Sequence, residues 1–163
     1  MYETKPQNLA LYLPTTGAIG TLFLYTIGYS IRSFKTVVNM LLKHEIEKVI
    51  DIRFSRYSRN SDFNGQDQNL AMKFLGYGID YEHRREFGNP NSLWKLFKDN
   101  RRAWRLKFFS HFTTGELLLY QSLFTRQKTV LMCSEKKIRH CHRLEVANWL
   151  SQGANPEIRV IHL

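Results

Sequence analysis

Cysteine is nearly absent. The chain of 163 residues holds two, Cys133 and Cys141, eight positions apart. That excludes the disulfide framework of a small secreted domain, although one bond between the two stays open. Acidic residues are also scarce: 14 Asp and Glu stand against 24 Lys and Arg, for a formal net charge of +10. An excess of that size favours a nucleic acid or another phosphate-bearing partner. No apolar run approaches the roughly 18–20 residues of a membrane span. The first twenty residues lack a basic start followed by a long apolar core, so no signal peptide is expected and a cytoplasmic location is. What is present is globular: 43% hydrophobic and 13% aromatic residues, in a length that suits one domain.

The chemistry concentrates in Thr129 to Leu150, TVLMCSEKKIRHCHRLEVANWL. Val130-Leu131-Met132 reads as a buried strand with Cys133 at its end. A charged loop, Ser134 to Arg139, follows. From about His140 the apolar spacing turns helical through Cys141, Leu144, Ala147, Trp149 and Leu150. A strand, a reactive residue at its carboxyl end and a helix opening after it form a recurrent site in open α/β sheets. This stretch brings Cys133, Glu135, Arg139, Cys141, His142 and Arg143 within eleven residues.

The remainder supplies a frame. Residues 1–20 read as an extension, and 21–163 as the single domain. Thr21 to Ile27 reads as the first strand, ending in Gly28-Tyr29-Ser30. Ser30 or Ser33 then caps a helix whose inner face carries Phe34, Val37, Val38, Leu41 and Leu42. Glu47 to Arg53 is the second strand, with Asp51 and Arg53 on one side of its carboxyl end, either serving a ligand or pairing with each other. In 54–66, Arg56 and Arg59 alternate with Phe54, Tyr57 and Phe63, which suits phosphate contact with base stacking or a plain solvated loop. A helix from Asp67 to Leu75, a short strand Ile79 to Tyr81 and helices across 91–127 come next. Those helices break near Asn100 and before Thr113, and Lys and Arg there alternate with Trp94, Phe97 and Trp104 on a face that packs or lies on nucleic acid. Glu157 to Leu163 is a last strand. This alternation predicts a mainly parallel sheet flanked by helices.

With these pieces laid out, the chain resembles the DUF488 family of small α/β proteins. The matching pieces are Tyr25 to Ser30, Val49 to Arg53, Ser58-Arg59 with Phe63, Gly78 to Tyr81, Leu131 to Glu135, and Cys141-His142-Arg143 with the helix to Leu150. They keep the family's order over about 22–163. The likeness implies a three-layer α/β sandwich. It also implies a recurring set of Ser30, Asp51, Arg53, Ser58, Arg59, Cys133, Glu135, Cys141, His142 and Arg143. Two departures stand out. Ser55 replaces the usual proline before the Ser-Arg pair, and Phe87-Gly88-Asn89 only roughly matches the family's glycine loop.

Five chemistries compete for these residues. The leading one is an enzyme that hydrolyses a nucleic acid or nucleotide or modifies a base. Glu135 and Asp51 handle protons there, Cys133 and His142 complete the catalytic group, and Arg53, Arg59 and Arg143 hold phosphate. Tyr29, Ser30 and Ser58 would touch the substrate. A second makes Cys133 a nucleophile for phosphatase or sulfur-transfer chemistry, because Cys133 and Arg139 fit a Cys-x5-Arg spacing. Ser-Glu-Lys-Lys-Ile is poor material for such a phosphate loop, which favours small residues. A third gives Cys133, Cys141 and one or two His a metal, with a fourth ligand from elsewhere. A fourth is a nucleic-acid-binding module without catalysis. The fifth makes both cysteines small buried hydrophobes, above all Cys141 on the apolar helix face. The leading chemistry assigns no metal ligand and names no cofactor.

Overall fold

The computed structural model describes residues 20–65, 69–124 and 126–163. The expected extension and the expected helix start at Asp67 lie outside the described residues. Five strands form one sheet in the order β3-β2-β4-β1-β5, every pairing parallel. They are β1 (Leu22–Gly28), β2 (Lys48–Asp51), β3 (Asp80–His83), β4 (Thr129–Cys133) and β5 (Ile158–His162). The helices are α1 (Phe34–Lys43), α2 (Asn69–Leu75), α3 (Asn91–Asp99), α4 (Arg101–Phe109), α5 (Thr114–Leu123) and α6 (Arg143–Ser151). Among the described residues, no helix is long and apolar enough to cross a membrane.

Side chains alternate across the sheet and build a core on each face. Tyr25, Ile27, Val49, Val130 and Met132 pack on one side with Val37, Val38 and Leu41 of α1 and Leu70 and Phe74 of α2. Leu24, Ile50, Leu131 and Cys133 pack on the other with Val146, Ala147 and Leu150 of α6 and the aromatic helices α3 to α5. These are the three layers that the family likeness implies. Central strands buried on both faces explain the near-continuous apolar runs in the sequence.

Three local expectations are sharpened. Ser33, rather than Ser30, caps α1, its hydroxyl accepting from the Thr36 amide at 3.2 Å. Leu42 is not on the inner face: it is 45% exposed, because α1 turns Leu41 inward and the next residue follows about 100° later. At the break expected before Thr113, that residue and Glu116 form a reciprocal capping box that starts α5. The basic aromatic region packs: Phe97 and Trp104 are core residues, and Arg101 and Arg105 reach Glu145 at 3.2 and 3.4 Å.

The chain runs from β1 outward to β2 and β3, returns to β4 in the middle, and finishes at β5 beyond β1. The connections leaving β1 and β4 therefore depart in opposite directions, α1 on one face and α6 on the other. A crevice opens at that switch point, beyond the strands' carboxyl ends.

Candidate functional site

Gly28 and Cys133 end their strands side by side, and Asp51 pairs with Met132 on the far side of β4. Pairing continues past the strands. The Tyr29 amide donates to the Cys133 carbonyl at 3.1 Å, Ser30 N to Ser134 O at 2.8 Å, and Ile52 N to Met132 O at 3.0 Å. The loop after β4 is thus held from both sides. It crosses so close over β1 that a Cβ at position 28 would collide with the Glu135 carbonyl and lie 2.9 Å from Arg143 Nη1. Only glycine leaves that passage open.

On the β2 side, Asp51 is fully buried and its carboxylate is saturated. Arg53 Nε donates to both oxygens at 2.9 and 3.0 Å, Arg53 Nη2 to Oδ2 at 2.5 Å, and the Tyr81 hydroxyl to Oδ2 at 2.6 Å. Burial pulls the Arg53 guanidinium down, but the Asp51 carboxylate outweighs it and holds the charge firmly on. Burial and the same carboxylate push the Tyr81 hydroxyl well above its ordinary value. Arg53 Nη1 continues the chain to the Tyr29 hydroxyl at 2.9 Å and the Phe63 carbonyl at 2.8 Å. Tyr29 in turn donates to Ser58 Oγ at 3.0 Å and stacks on Phe63 at 4.1 Å. This network ties the 54–63 loop to the ends of β1 and β2. Ser30 is half-buried, and Arg56 and Arg59 project from the loop into solvent.

On the β4 side, Cys133 Sγ and Cys141 Sγ both donate to Glu135 Oε2, at 3.0 and 3.1 Å. His142 Nδ1 lies 4.0 Å from Cys133 Sγ, and its Nε2 is 3.0 Å from the Ile52 carbonyl. Both cysteines and His142 are buried, and Glu135 is the half-exposed member. Burial would raise the Glu135 pKa, but the two thiol hydrogen bonds and the charge of His142 hold it below the usual carboxylate range. Burial pushes the Cys141 thiol well up. Burial alone would lower His142, yet its contacts with Cys141, the Ile52 carbonyl and Glu135 raise it.

The helix after this loop starts later than the apolar spacing predicts. Ile138–His140 form a 3₁₀ turn, Cys141 is extended, and α6 begins at Arg143. Cys141 therefore turns its sulfur to Glu135 instead of sitting on the apolar helix face. The Cys-x5-Arg pattern does not fold as a phosphate loop. Arg139 is exposed and its carbonyl takes Arg101 Nη2 at 2.7 Å. The loop's Glu135 and Lys136 carbonyls turn to the Arg143 guanidinium, the polarity opposite to an amide cradle.

A family model described as "Domain of unknown function DUF488" matches residues 33–150. The chain belongs to the DUF488 family. The match covers β2, the 54–63 loop and the whole Cys133 to Arg143 cluster, and leaves Gly28 to Ser30 just outside. No curated protein and no solved structure matches the chain.

The structure also brings in residues that the sequence reading did not single out. Tyr81 completes the Asp51 shell from β3, visible in the sequence only as a strand tyrosine. Arg32 donates to the Gly28 carbonyl at 3.1 Å, and burial and the charge of Arg143 both pull its pKa down. Ile31 beside it is 82% exposed with φ of 61°, a left-handed backbone that disfavours a β-branched residue. Nothing in the local sequence marks Ile31. The strain arises where Ser30 N is held by Ser134 while Arg32 turns back on Tyr29.

Proposed function

We propose that this crevice binds the phosphate of a nucleotide or nucleic acid, and that the protein is an enzyme that hydrolyses or modifies it. One observation carries the reading: Arg32 and Arg143 flank Gly28, oppose each other electrostatically, and have no carboxylate partner among the described residues. Arg32 is the half-buried member and can meet a ligand, while Arg143, buried behind it, adds positive charge. A partly desolvated guanidinium without a counter-ion is an ordinary means of holding a phosphate. The exposed Arg56, Tyr57 and Arg59 extend the basic, aromatic character along the same edge. The formal charge of +10 fits a polyanion as well.

In this reading Glu135, half-exposed and ionised beside Cys133 and His142, handles the proton. Ser30 and Ser58 line the approach. Asp51 and Arg53 are positioning residues that fix Tyr29 and the loop carrying Ser58, because Asp51 has no free oxygen to offer a substrate. Cys133 is a poor nucleophile in this setting. The residue is only 2% exposed, and its thiol donates to Glu135 Oε2 at 3.0 Å.

The test is binding of nucleotides and fluorescent oligonucleotides at several salt concentrations, in the wild type and in the Arg32→Ala and Arg59→Ala variants. Turnover is followed in the wild type and in Glu135→Gln. Affinity that falls steeply with salt and weakens in the arginine variants, with turnover lost but binding kept in Glu135→Gln, supports the reading. Absence of binding at low salt removes it. Binding with no turnover in any protein leaves a nucleic-acid-binding module.

A further inference from the structure

We propose that Cys133, Cys141, His142 and Glu135 bind a divalent zinc-class metal ion. One donor atom from each lies within 4.8 Å of all the others. A tetrahedral ion with bonds of about 2.3 Å to sulfur and about 2.0–2.2 Å to nitrogen and oxygen sets neighbouring donors about 3.5–3.8 Å apart. The distances of 3.0 and 3.1 Å from Glu135 to the sulfurs and 4.0 Å from Cys133 to His142 bracket that spacing. The ion replaces the two thiol protons, and donor separations of up to 4.8 Å close by about 1 Å at most.

Buried thiols packing as hydrophobes would need none of the surrounding detail. His142 Nε2 faces the Ile52 carbonyl at 3.0 Å. A carbonyl only accepts, so Nε2 carries the hydrogen and Nδ1, the atom turned to Cys133, presents its lone pair. The Arg143 amide points at Cys141 Sγ at 3.5 Å, a donor that stabilises a thiolate. Two thiolates and a carboxylate bring three negative charges into a site whose other members are buried. A divalent ion reduces them to one, and the Arg143 guanidinium, 1% exposed, lies against the Glu135 carbonyl. Two sulfurs, an imidazole nitrogen and one carboxylate oxygen select zinc, cobalt or ferrous iron over magnesium and calcium, which want oxygen alone.

The site deepens the proposed function and rests on it only for its use. Glu135, the half-exposed ligand, is the one that water exchanges with, so its carboxylate stays beside a water that the ion activates.

The experiment needs no substrate. Full-length wild type is purified under reducing conditions and its zinc is measured. It is then stripped with a chelator and titrated with cobalt(II). The expected result is one ion per chain, with the visible bands of tetrahedral cobalt and a thiolate-to-cobalt charge-transfer band. Glu135→Gln keeps the two-thiolate charge transfer while affinity falls at least about tenfold. Cys141→Ser loses roughly half of that band. Stripped, reduced wild type that takes up neither zinc nor cobalt while both thiols react freely overturns the proposal, and this result stands whatever the variants do. A cobalt spectrum unchanged in Cys141→Ser overturns it as well. Metal-loaded protein that ignores every phosphate ligand removes the proposed function and leaves the ion in place, whereas metal-free protein that binds oligonucleotides does the reverse.

Discussion

Arg53 closes over Asp51 from two residues away, with Nε at 2.9 and 3.0 Å and Nη2 at 2.5 Å, and neither side chain reaches bulk water. The pair spans the turn out of β2, so its geometry sets where the chain goes next. Removing one partner of such a pair strands the other charge at a cost of about 3–5 kcal/mol. Asp51→Asn and Arg53→Met are each expected to lose stability of that order in urea unfolding. Tyr81→Phe, which removes one donor to the charged carboxylate, is expected to lose about 1.5–3 kcal/mol. An Asp51→Asn protein of wild-type stability but without activity would give Asp51 a direct part in the chemistry instead.

Gly28→Ala tests how closely the loop after β4 crosses β1. The added Cβ meets the Glu135 carbonyl and Arg143 Nη1. Overpacking of this kind costs about 1–3 kcal/mol. The displaced atoms belong to Glu135 and Arg143, so cobalt or phosphate-ligand affinity should drop further than the melting temperature implies. A Gly28→Ala protein that binds like wild type would show that the loop can lift without moving the site.

Phe63 is a core residue that also holds a site residue, stacked on Tyr29 at 4.1 Å while its carbonyl accepts from Arg53 at 2.8 Å. Phe63→Ala is expected to cost about 3–5 kcal/mol. Phe63→Leu, which keeps most of the volume, should cost less and still loosen the 54–63 loop. Proteolysis at Arg56 or Arg59 should then speed up while the global unfolding midpoint barely moves. Equal protection in both proteins would mean that Asp51, Arg53 and Tyr29 hold the loop unaided.

His162 predicts a pH dependence. His162 is largely exposed, but the partial desolvation of its ring first, and then the charge of Arg143, pull its pKa below the usual 6.5, and Nδ1 lies 2.8 Å from Thr26 Oγ1. The unfolded chain therefore takes up this proton before the folded one does. Stability from this residue is complete above about 6.5 and is lost as pH falls toward the lower folded value. His142 has the opposite sign, its folded pKa being raised, so the wild-type profile mixes the two. The difference between wild type and His162→Gln isolates the first. Unfolding midpoints of the two proteins should converge as pH drops from 7 to 5. A constant offset across that range would remove the linkage.

The central strands were readable from the sequence because they are buried on both faces, and runs such as Thr129–Cys133 leave few other interpretations. Ser33 against Ser30 as the cap was not, since the choice depends on how Ser30 N is held by Ser134, a contact between residues far apart in the chain. The site divides the same way. Residues on one short segment, Cys133 to Arg143, announce themselves together. The readings that stayed open turned on partners from elsewhere: Tyr81 on Asp51, the Ile52 carbonyl on His142, and Arg32 beside Gly28. Cys141 was misleading for a local reason. Helical spacing continues through it, while the chain makes a 3₁₀ turn and an extended residue before α6 starts.

Placing β4 between β1 and β2 has a consequence for the order of events during synthesis. Strand β1 pairs only with β4 and β5, both formed from residues beyond 128. Strand β1 therefore waits for Thr129–Cys133 before its ladder can close, and pairings that distant in sequence are slow. The segment that closes the ladder is the one that delivers Cys133 and Glu135. Strand β4 joins β1 to β2, so the segment that unites the two halves of the sheet is also the one that brings the chemistry.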